Sequence, residues 1–301
     1  MNSIESNAES GVKKGRPASW RALVGILVWV VLPLSLGAIL AFTLIPQPAV
    51  GLIRVTSEVW SLSADFVLAQ VREARNDNSI KAVVVVIDSP GGEVVPTQSI
   101  YLELKSLQDE MPVVGSIESF AASGGYLVAL ATDPIFAKPS STVGNVGVWG
   151  YFPVDLAVND VILASGPFKL TASNTEEFLR EIEGVKQEFL ATVVAQRGER
   201  LQIQTVDLSQ GLAYAGRQAQ SLGLIDALGS QSEAIAKAAE LAGIRDYKLV
   251  DLEARVIEKL YEGQNPLYFQ PWEGRPVAEG ETRNLPPGIY LLYDARIGGT
   301  R

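Results

Sequence analysis

Ser123 lies in a stretch whose composition suits a nucleophile. In SFAASGGYLVALA (119–131), small residues surround the serine, two glycines follow it, and an apolar helical run begins directly afterwards. A hydroxyl at the start of a helix lies near backbone N–H groups that have no partner within the helix, and the N–H of Gly124 would point the same way. The same small residues are also typical of a helix that packs tightly on a sheet, so both interpretations stay open.

The base that would activate this serine cannot be histidine, because the 301-residue chain contains none. It also lacks cysteine, so thiolate nucleophiles and the usual zinc ligands are excluded, and we expect neither a metal nor a cofactor. A lysine or a carboxylate remains as the proton acceptor. Lys169, in LASGPFKLTA (163–172), lies between Phe168 and Leu170. Burial there would lower the pKa of its amine, and a neutral amine can deprotonate a serine. A lysine in a loop is more often a solvated surface charge, and no spacing rule brings it to Ser123.

A third stretch, VIDSPGGEV (86–94), follows a predicted strand. Its Pro-Gly-Gly turn bends freely and leaves its N–H groups unhindered by side chains. Such groups can hold the negative oxygen that forms on an attacked carbonyl, although an ordinary turn has the same composition. If the turn is catalytic, we expect the substrate to lie extended along the strand edge beside it.

An alternation of strands and helices positions these three loops. VGLIRV, KAVVVVID and PVVGSI are predicted strands, and the unbroken β-branched run of the second is typical of a strand buried on both faces. One predicted helix between these strands is capped by Ser63. The next predicted helix carries Ile100, Leu104 and Leu107 on its inner face. The pattern predicts an α/β fold with a parallel sheet and flanking helices, with the loops at the carboxyl ends of strands. Further predicted helices cover 175–197, 217–222 and 231–242.

Residues 22–45 carry no charge and are rich in Leu, Val and Ile. As a helix they would extend about 36 Å, which is enough to span a bilayer. Basic residues are more frequent before this segment than after it, so we expect a cytoplasmic tail (1–21), a single-pass helix in the cell membrane, and an extracytoplasmic remainder. The net charge of -9 provides no basic face for a phosphate backbone, which argues against nucleic acid as a partner.

Taken together, the motifs resemble the signal peptide peptidase A family of membrane-anchored serine proteases. The motifs that carry the resemblance are, in order, DSPGG, AASGGY, VGNVGV (143–148), SGPFK and GLAYAGRQAQSLGLIDALGS (211–230). The resemblance covers residues 50–245, the predicted peptidase domain, and does not reach the C-terminal extension (246–301), to which we assign no role. It implies a ClpP/crotonase-type fold, with Ser123 as the nucleophile and Lys169 as the general base.

The same resemblance implies the remaining parts of the site. The oxyanion would be held by the N–H groups of Gly124 and of Gly92, the latter in preference to Gly91. Where the family more often has a serine that orients the lysine, this chain has Asn145, whose side-chain carbonyl can accept a hydrogen bond from the amine. Members with one such domain form rings, commonly octamers, so we expect a homo-oligomer that cleaves hydrophobic peptides such as remnant signal peptides or membrane-protein fragments.

Two other classes of protein stay open as alternatives. A crotonase-type acyl-CoA enzyme would share the fold and the oxyanion donors, but it would need no serine-lysine pair and has little use for an outward-facing anchor. A catalytically silent membrane scaffold would keep the fold and the ring without the chemistry, since a fold does not establish a function.

Overall fold

The computed structural model describes residues 20–37, 47–152, 168, 172–262 and 288–292. The chain divides into two compact units, Met1–Pro46 and Gln47–Arg301. In the first unit, α1 (Trp20–Ile26) continues into a π-helical segment (Leu27–Val31) and then into α2 (residues 32–37). Within the parts of the chain that the structure describes, none of the helices combines the length and the apolar character that crossing a bilayer requires. Residues 38–45 of the predicted membrane segment, and residues 1–19 of the predicted tail, lie outside the described residues.

The second unit is built on a mostly parallel sheet. Its strands are β1 (Ala49–Val55), β2 (Ile80–Ser89), β4 (Val113–Ala122), β5 (Ile135–Ala137), β6 (Thr142–Gly144), β8 (Ala213–Ala215), β9 (Ala227–Leu228) and β10 (Lys248–Asp251). The order is β10-β1-β2-β4-β5-β9, with β6 also beside β4 and β8 beside β6. The pairings are parallel apart from β6 with β8. The predicted α/β class with a parallel sheet is therefore confirmed.

Helices cover both faces of this sheet. They are α3 (Ser61–Asn76), α4 (Val94–Gln108), α5 (Gly124–Ala129), α6 (Thr175–Arg197), α7 (Thr205–Leu208), α8 (Gly216–Ser221), α9 (Gln231–Leu241) and α10 (Leu252–Glu262). The larger core lies on the face covered by α3, α4, α5 and the end of α6, and a smaller core lies under α9. Ile100, Leu104 and Leu107 of α4 are fully buried, as their spacing predicts.

The first helix of this unit begins slightly before the position that the sequence predicts. α3 starts at Ser61, so Ser63 is its third residue and not the residue before it. The Ser63 hydroxyl oxygen accepts a hydrogen bond from the backbone N–H of Trp60 at 2.9 Å. The serine therefore stabilises the start of the helix from inside its first turn.

A second, smaller sheet joins three segments that are distant in the sequence. β3 (Gly91–Glu93) and β7 (Trp149–Tyr151) flank β11 (Gly288–Leu292), which is antiparallel to both. β11 belongs to the extension for which the sequence suggests no role.

Candidate active site

Two of the predicted loops lie side by side because their strands are neighbours. β2 and β4 pair in parallel, with Ser89 opposite Ala121, so the Pro-Gly-Gly turn and Ser123 emerge at the same edge of the sheet. The first turn of α5 lies against the end of β2. A Cβ atom on Gly125 would be only 2.3 Å from the carbonyl oxygen of Ser89, so the close approach requires glycine there.

Ser123 has a strained backbone at the point where β4 turns into α5. Its φ of 52° and ψ of -120° lie in a region that residues with side chains rarely adopt, at a cost of order 1–3 kcal/mol. Its N–H donates to the carbonyl of Gly144 at 2.8 Å, and its own carbonyl accepts from Tyr126 at 3.0 Å. The residue is 2% exposed. Strain held in place by neighbours in this way is typical of active sites.

The Pro-Gly-Gly turn directs the backbone groups of Gly92 and Gly91 to different partners. The N–H of Gly91 donates to the hydroxyl of Ser89 at 3.2 Å, and its carbonyl accepts from Val59 at 2.8 Å. The N–H of Glu93 donates to the carbonyl of Val59 at 2.8 Å. Because successive residues of a strand direct their backbone groups to opposite edges, the N–H and C=O of Gly92 point away from Val59.

Gly92 also has no room for a side chain. A Cβ atom there would lie 2.0 Å from the carbonyl oxygen of Val59. Glycine at this position therefore lets β3 lie directly against the backbone of Val59.

Sequence reasoning missed the role of Ser89. Its side chain is fully buried, donates to the carbonyl of Ser57 at 2.6 Å and accepts from the N–H of Gly91. The hydroxyl thus fixes the Pro-Gly-Gly turn to the loop after β1. A serine between a strand and a turn often bonds to nearby backbone, and this was the available signal.

Asp88, also missed, holds the end of β2 to β4. Its carboxylate accepts from the backbone N–H groups of Ser119 at 3.2 Å and Phe120 at 3.0 Å. The register between the two strands shifts between Ile87 and Ser89. The side chain therefore satisfies backbone donors at an irregular part of the ladder, just before Ser123.

Asn145 lies one residue beyond the carbonyl that binds the N–H of Ser123. Its φ is +53°, its N–H donates to Leu212 at 2.8 Å, and its side-chain nitrogen donates to the carbonyl of Gly211 at 2.7 Å. Since the amide nitrogen is the donor in this bond, the amide oxygen is directed elsewhere and is the acceptor of the group.

Lys169, the predicted base, lies outside the described residues, between Phe168 and Ala172. Of its described neighbours, Ala172 donates its N–H to the carbonyl of Phe168 at 2.7 Å.

The stretch 211–230 supports the site by packing. Arg197 of α6 is 2% exposed and donates to both carboxylate oxygens of Asp226, at 2.8 and 3.0 Å. Burial acts to raise the pKa of Asp226, but the hydrogen bonds and charge of Arg197 outweigh it and hold that pKa below its usual range. The hydroxyl of Tyr126 in α5 donates to the carbonyl of Leu224 at 2.8 Å, and burial raises the pKa of Tyr126.

Comparison with known proteins identifies the class to which this fold and site belong. The sequence model of Clp protease matches residues 49–143, and that of peptidase family S49 matches residues 105–245. The α/β fold is therefore ClpP-like, as the resemblance implied. A Synechocystis sp. protein named as a candidate protease is 33% identical over 207 residues, which cover 64% of this chain and 74% of that protein.

Two further relatives support the assignment. A candidate signal peptide peptidase SppA of Enterococcus faecium is 28% identical over 226 residues, covering 70% of this chain and 63% of the relative. Protease 4 of Salmonella typhi is 31% identical over 203 residues, covering 63% of this chain but 33% of the relative, so the chain matches about a third of that protein. The chain belongs to peptidase family S49, which confirms the resemblance drawn from the motifs.

Proposed function

We propose that this protein is a serine endopeptidase that cleaves extended hydrophobic peptides, with Ser123 as the nucleophile and Lys169 as the general base. The observation that carries the proposal is the strained, buried Ser123 at the start of α5, beside a Pro-Gly-Gly turn in which the backbone groups of Gly92 point away from Val59. Membership of a peptidase family supports it.

In the proposed reaction, the hydroxyl oxygen of Ser123 attacks the peptide carbonyl while the neutral amine of Lys169 removes its proton. The proton then passes to the departing amine, and a water activated by the same lysine releases the acyl group. The N–H groups of Gly92 and Gly124 hold the negative oxygen, each contributing about 3 kcal/mol in comparable sites.

The hydrogen bonds of the turn favour Gly92 over Gly91 as the donor. The N–H of Gly91 is already bonded to Ser89, whereas the backbone groups of Gly92 point away from Val59. The amide oxygen of Asn145, an acceptor one residue from the carbonyl that binds the N–H of Ser123, supports the proposal that Asn145 orients the lysine amine.

The substrate and the cellular setting belong to the same proposal. Strand addition beside β3 would recognise a peptide through its backbone, which suits remnant signal peptides, and the name of the E. faecium relative agrees with that class. We further propose that the apolar segment 22–45 anchors the chain in the cell membrane with its N-terminus in the cytoplasm. We also propose that the peptidase units assemble as a homo-oligomeric ring, with the eight subunits that the resemblance implies.

Replacement of Lys169 by alanine tests the dyad. We expect Lys169→Ala to abolish cleavage of casein and of a synthetic signal peptide while the melting temperature stays that of the wild type. The matched control is Lys237→Ala, which removes an exposed lysine paired with Glu240 on α9 and should leave the cleavage rate unchanged. Full activity in Lys169→Ala would contradict the proposed base.

The pH dependence of cleavage is a second readout of the same lysine. The rate should rise with pH as the amine loses its proton, and this rising limb should be lost in Lys169→Ala. Turnover of acyl-CoA thioesters without peptide cleavage would instead favour the crotonase-type alternative.

A further inference from the structure

The strand β11 fills a position that is shaped for an extended peptide. We call this position, between the outer edge of β3 and β7, the peptide groove. β11 pairs with β3 through Tyr290, Leu291 and Leu292, and with β7 through Gly288, Ile289 and Tyr290. Its backbone is therefore hydrogen-bonded along both edges, as a bound peptide would be in strand addition.

Both walls of the peptide groove continue directly from the loops that surround Ser123. β3 contains Gly92 and lies in contact with α5, the helix that Ser123 begins. β7 follows the loop that starts at Gly144, whose carbonyl binds the N–H of Ser123. The wall formed by β7 is backed by α6, since a Cβ atom on Gly150 would lie 2.7 Å from the ring of Phe178.

The register places one particular carbonyl at the proposed oxyanion donor. Leu291 is directly opposite Gly92 in the antiparallel pair. The carbonyl of Gly91 and the N–H of Glu93 are bonded to Val59, so the backbone groups of Gly92 face β11. In an antiparallel pair of this kind the two opposite residues exchange both bonds, so the N–H of Gly92 faces the carbonyl of Leu291.

We propose that residues 288–292 are a built-in occupant of the substrate-binding groove, which holds the Leu291 carbonyl at the N–H of Gly92 and excludes a peptide substrate until the strand withdraws. The inference rests on the proposed function, because it takes the edge of Gly92 to be the place where substrate binds. The occupant is a segment of this chain, GIYLL, whose apolar sequence matches the hydrophobic peptides proposed as substrates.

With an occupant of this kind, the apparent affinity for peptide equals the affinity of the open groove multiplied by the fraction of time that the groove is free. If the strand is in place nine-tenths of the time, a peptide binds about tenfold more weakly than to an open groove. A change that weakens β11 should therefore tighten peptide binding, whether or not the peptide is cleaved.

The binding experiment uses the full chain with Ser123→Ala, so that no cleavage occurs. Leu291→Pro removes the N–H that pairs with the carbonyl of Gly92 and disfavours the strand. A fluorescent peptide with the sequence GIYLLYD should bind the double variant on the order of tenfold more tightly than Ser123→Ala alone. The matched control, Leu285→Pro, changes another leucine of the extension outside the described strand and should leave the affinity unchanged. Equal affinity in all three proteins would overturn the proposal.

Hydrogen exchange gives a test that needs no substitution in the strand. In the wild-type chain the amide of Leu291 should be protected, and adding the unlabelled peptide should speed its exchange as β11 is displaced. Exchange of this amide at the rate of an unstructured peptide would overturn the proposal, because the groove would then be open.

Cleavage assays separate this inference from the proposed function. With Ser123 intact, Leu291→Pro should raise kcat/KM for a hydrophobic peptide by a factor similar to the gain in affinity, with kcat nearly unchanged. If both proteins cleave the peptide with the same kcat/KM, the result contradicts the proposal that β11 occupies the groove and leaves the proposed peptidase activity intact. Tighter peptide binding by Leu291→Pro with no cleavage by either protein supports the occupant and contradicts the proposed peptidase.

Discussion

At the scale of single residues, the site is held by backbone groups and by side chains that do no chemistry themselves. Ser123 keeps its strained conformation because its N–H is bonded to Gly144 and its carbonyl starts α5. Ser89 plays the corresponding part for the Pro-Gly-Gly turn, since one buried hydroxyl binds both the carbonyl of Ser57 and the N–H of Gly91. Ser89 is therefore a positioning residue for the proposed oxyanion donor.

Removing the Ser89 hydroxyl should impair catalysis more than substrate binding. In Ser89→Ala the turn loses both bonds, and a small displacement of the Gly92 N–H should lower kcat by about tenfold to a hundredfold with a smaller change in KM. Steady-state kinetics on a synthetic peptide measures both. The control is Ser99→Ala, which removes an exposed hydroxyl bonded to the carbonyl of Val95 on α4 and should leave kcat unchanged. An unaltered kcat in a folded Ser89→Ala protein would contradict this role.

The sequence indicates the candidate reacting groups more readily than the residues that position them. Small residues around Ser123 and the bare Pro-Gly-Gly turn are visible as local composition. The bonds of Ser89 and Asp88 reach Ser57 and Phe120, about thirty residues away, and depend on which strands become neighbours. Local pattern does not contain that information.

At the scale of elements, the contact between α5 and the end of β2 brings the two loops together. It depends on Gly125, whose Cα approaches the carbonyl of Ser89. Not every glycine in a helix is constrained in this way. Gly184, within α6, has nothing within 4 Å of the position that a Cβ atom would take.

These two glycines should respond in opposite ways to alanine. Gly125→Ala forces α5 away from the backbone of β2, so cleavage should fall at least tenfold and the melting temperature should drop. Gly184→Ala should stabilise the protein by up to about 1 kcal/mol, because alanine favours a helix interior, and should leave the rate unchanged. Thermal melts and a cleavage assay on both variants check this. A neutral Gly125→Ala would contradict the close packing of α5 on β2.

Local patterns of apolar residues were sufficient to predict several of the buried elements. The spacing of Ile100, Leu104 and Leu107 predicts the inner face of α4, and the β-branched run of 81–88 predicts the buried strand β2. The same reasoning cannot place the apolar run at 289–293. β11 pairs with β3 across roughly two hundred residues, and nothing in a short apolar run specifies so distant a partner.

At the scale of the whole molecule, the ion pair between the buried Arg197 and the partly buried Asp226 ties the end of α6 to the sheet. Arg197 bonds both oxygens of Asp226, and Asp226 also accepts from the N–H of Ile135 in β5 at 2.7 Å. Burial raises the pKa of Asp226, but these bonds outweigh it and the pKa is lowered overall. The carboxylate therefore stabilises the fold in its charged form.

Neutralising Asp226 should destabilise the protein and flatten its response to acid. Because the folded pKa is depressed below the unfolded value of about 3.9, this contribution is fully present above that pH and is lost as pH falls through the folded pKa. Asp226→Asn should reduce the free energy of unfolding by about 3 kcal/mol at pH 7 and should lose less stability than the wild type between pH 5 and pH 3.

Urea denaturation across this pH range measures both effects. Glu240→Gln, which breaks an exposed ion pair with Lys237, is the control and should cost less than about 1 kcal/mol. A wild type and an Asp226→Asn variant with parallel pH curves would contradict the stabilising role of the charged carboxylate.

The central claim is that Ser123 is a nucleophile activated by Lys169, and covalent labelling tests it most directly. The full chain is treated with a fluorophosphonate, and the labelled residue is identified by tandem mass spectrometry. The account predicts an adduct on Ser123 in the wild type, formed faster as pH rises, and almost none in Lys169→Ala. A folded wild-type protein without an adduct on Ser123, or equal labelling of Ser123 in Lys169→Ala, would contradict it.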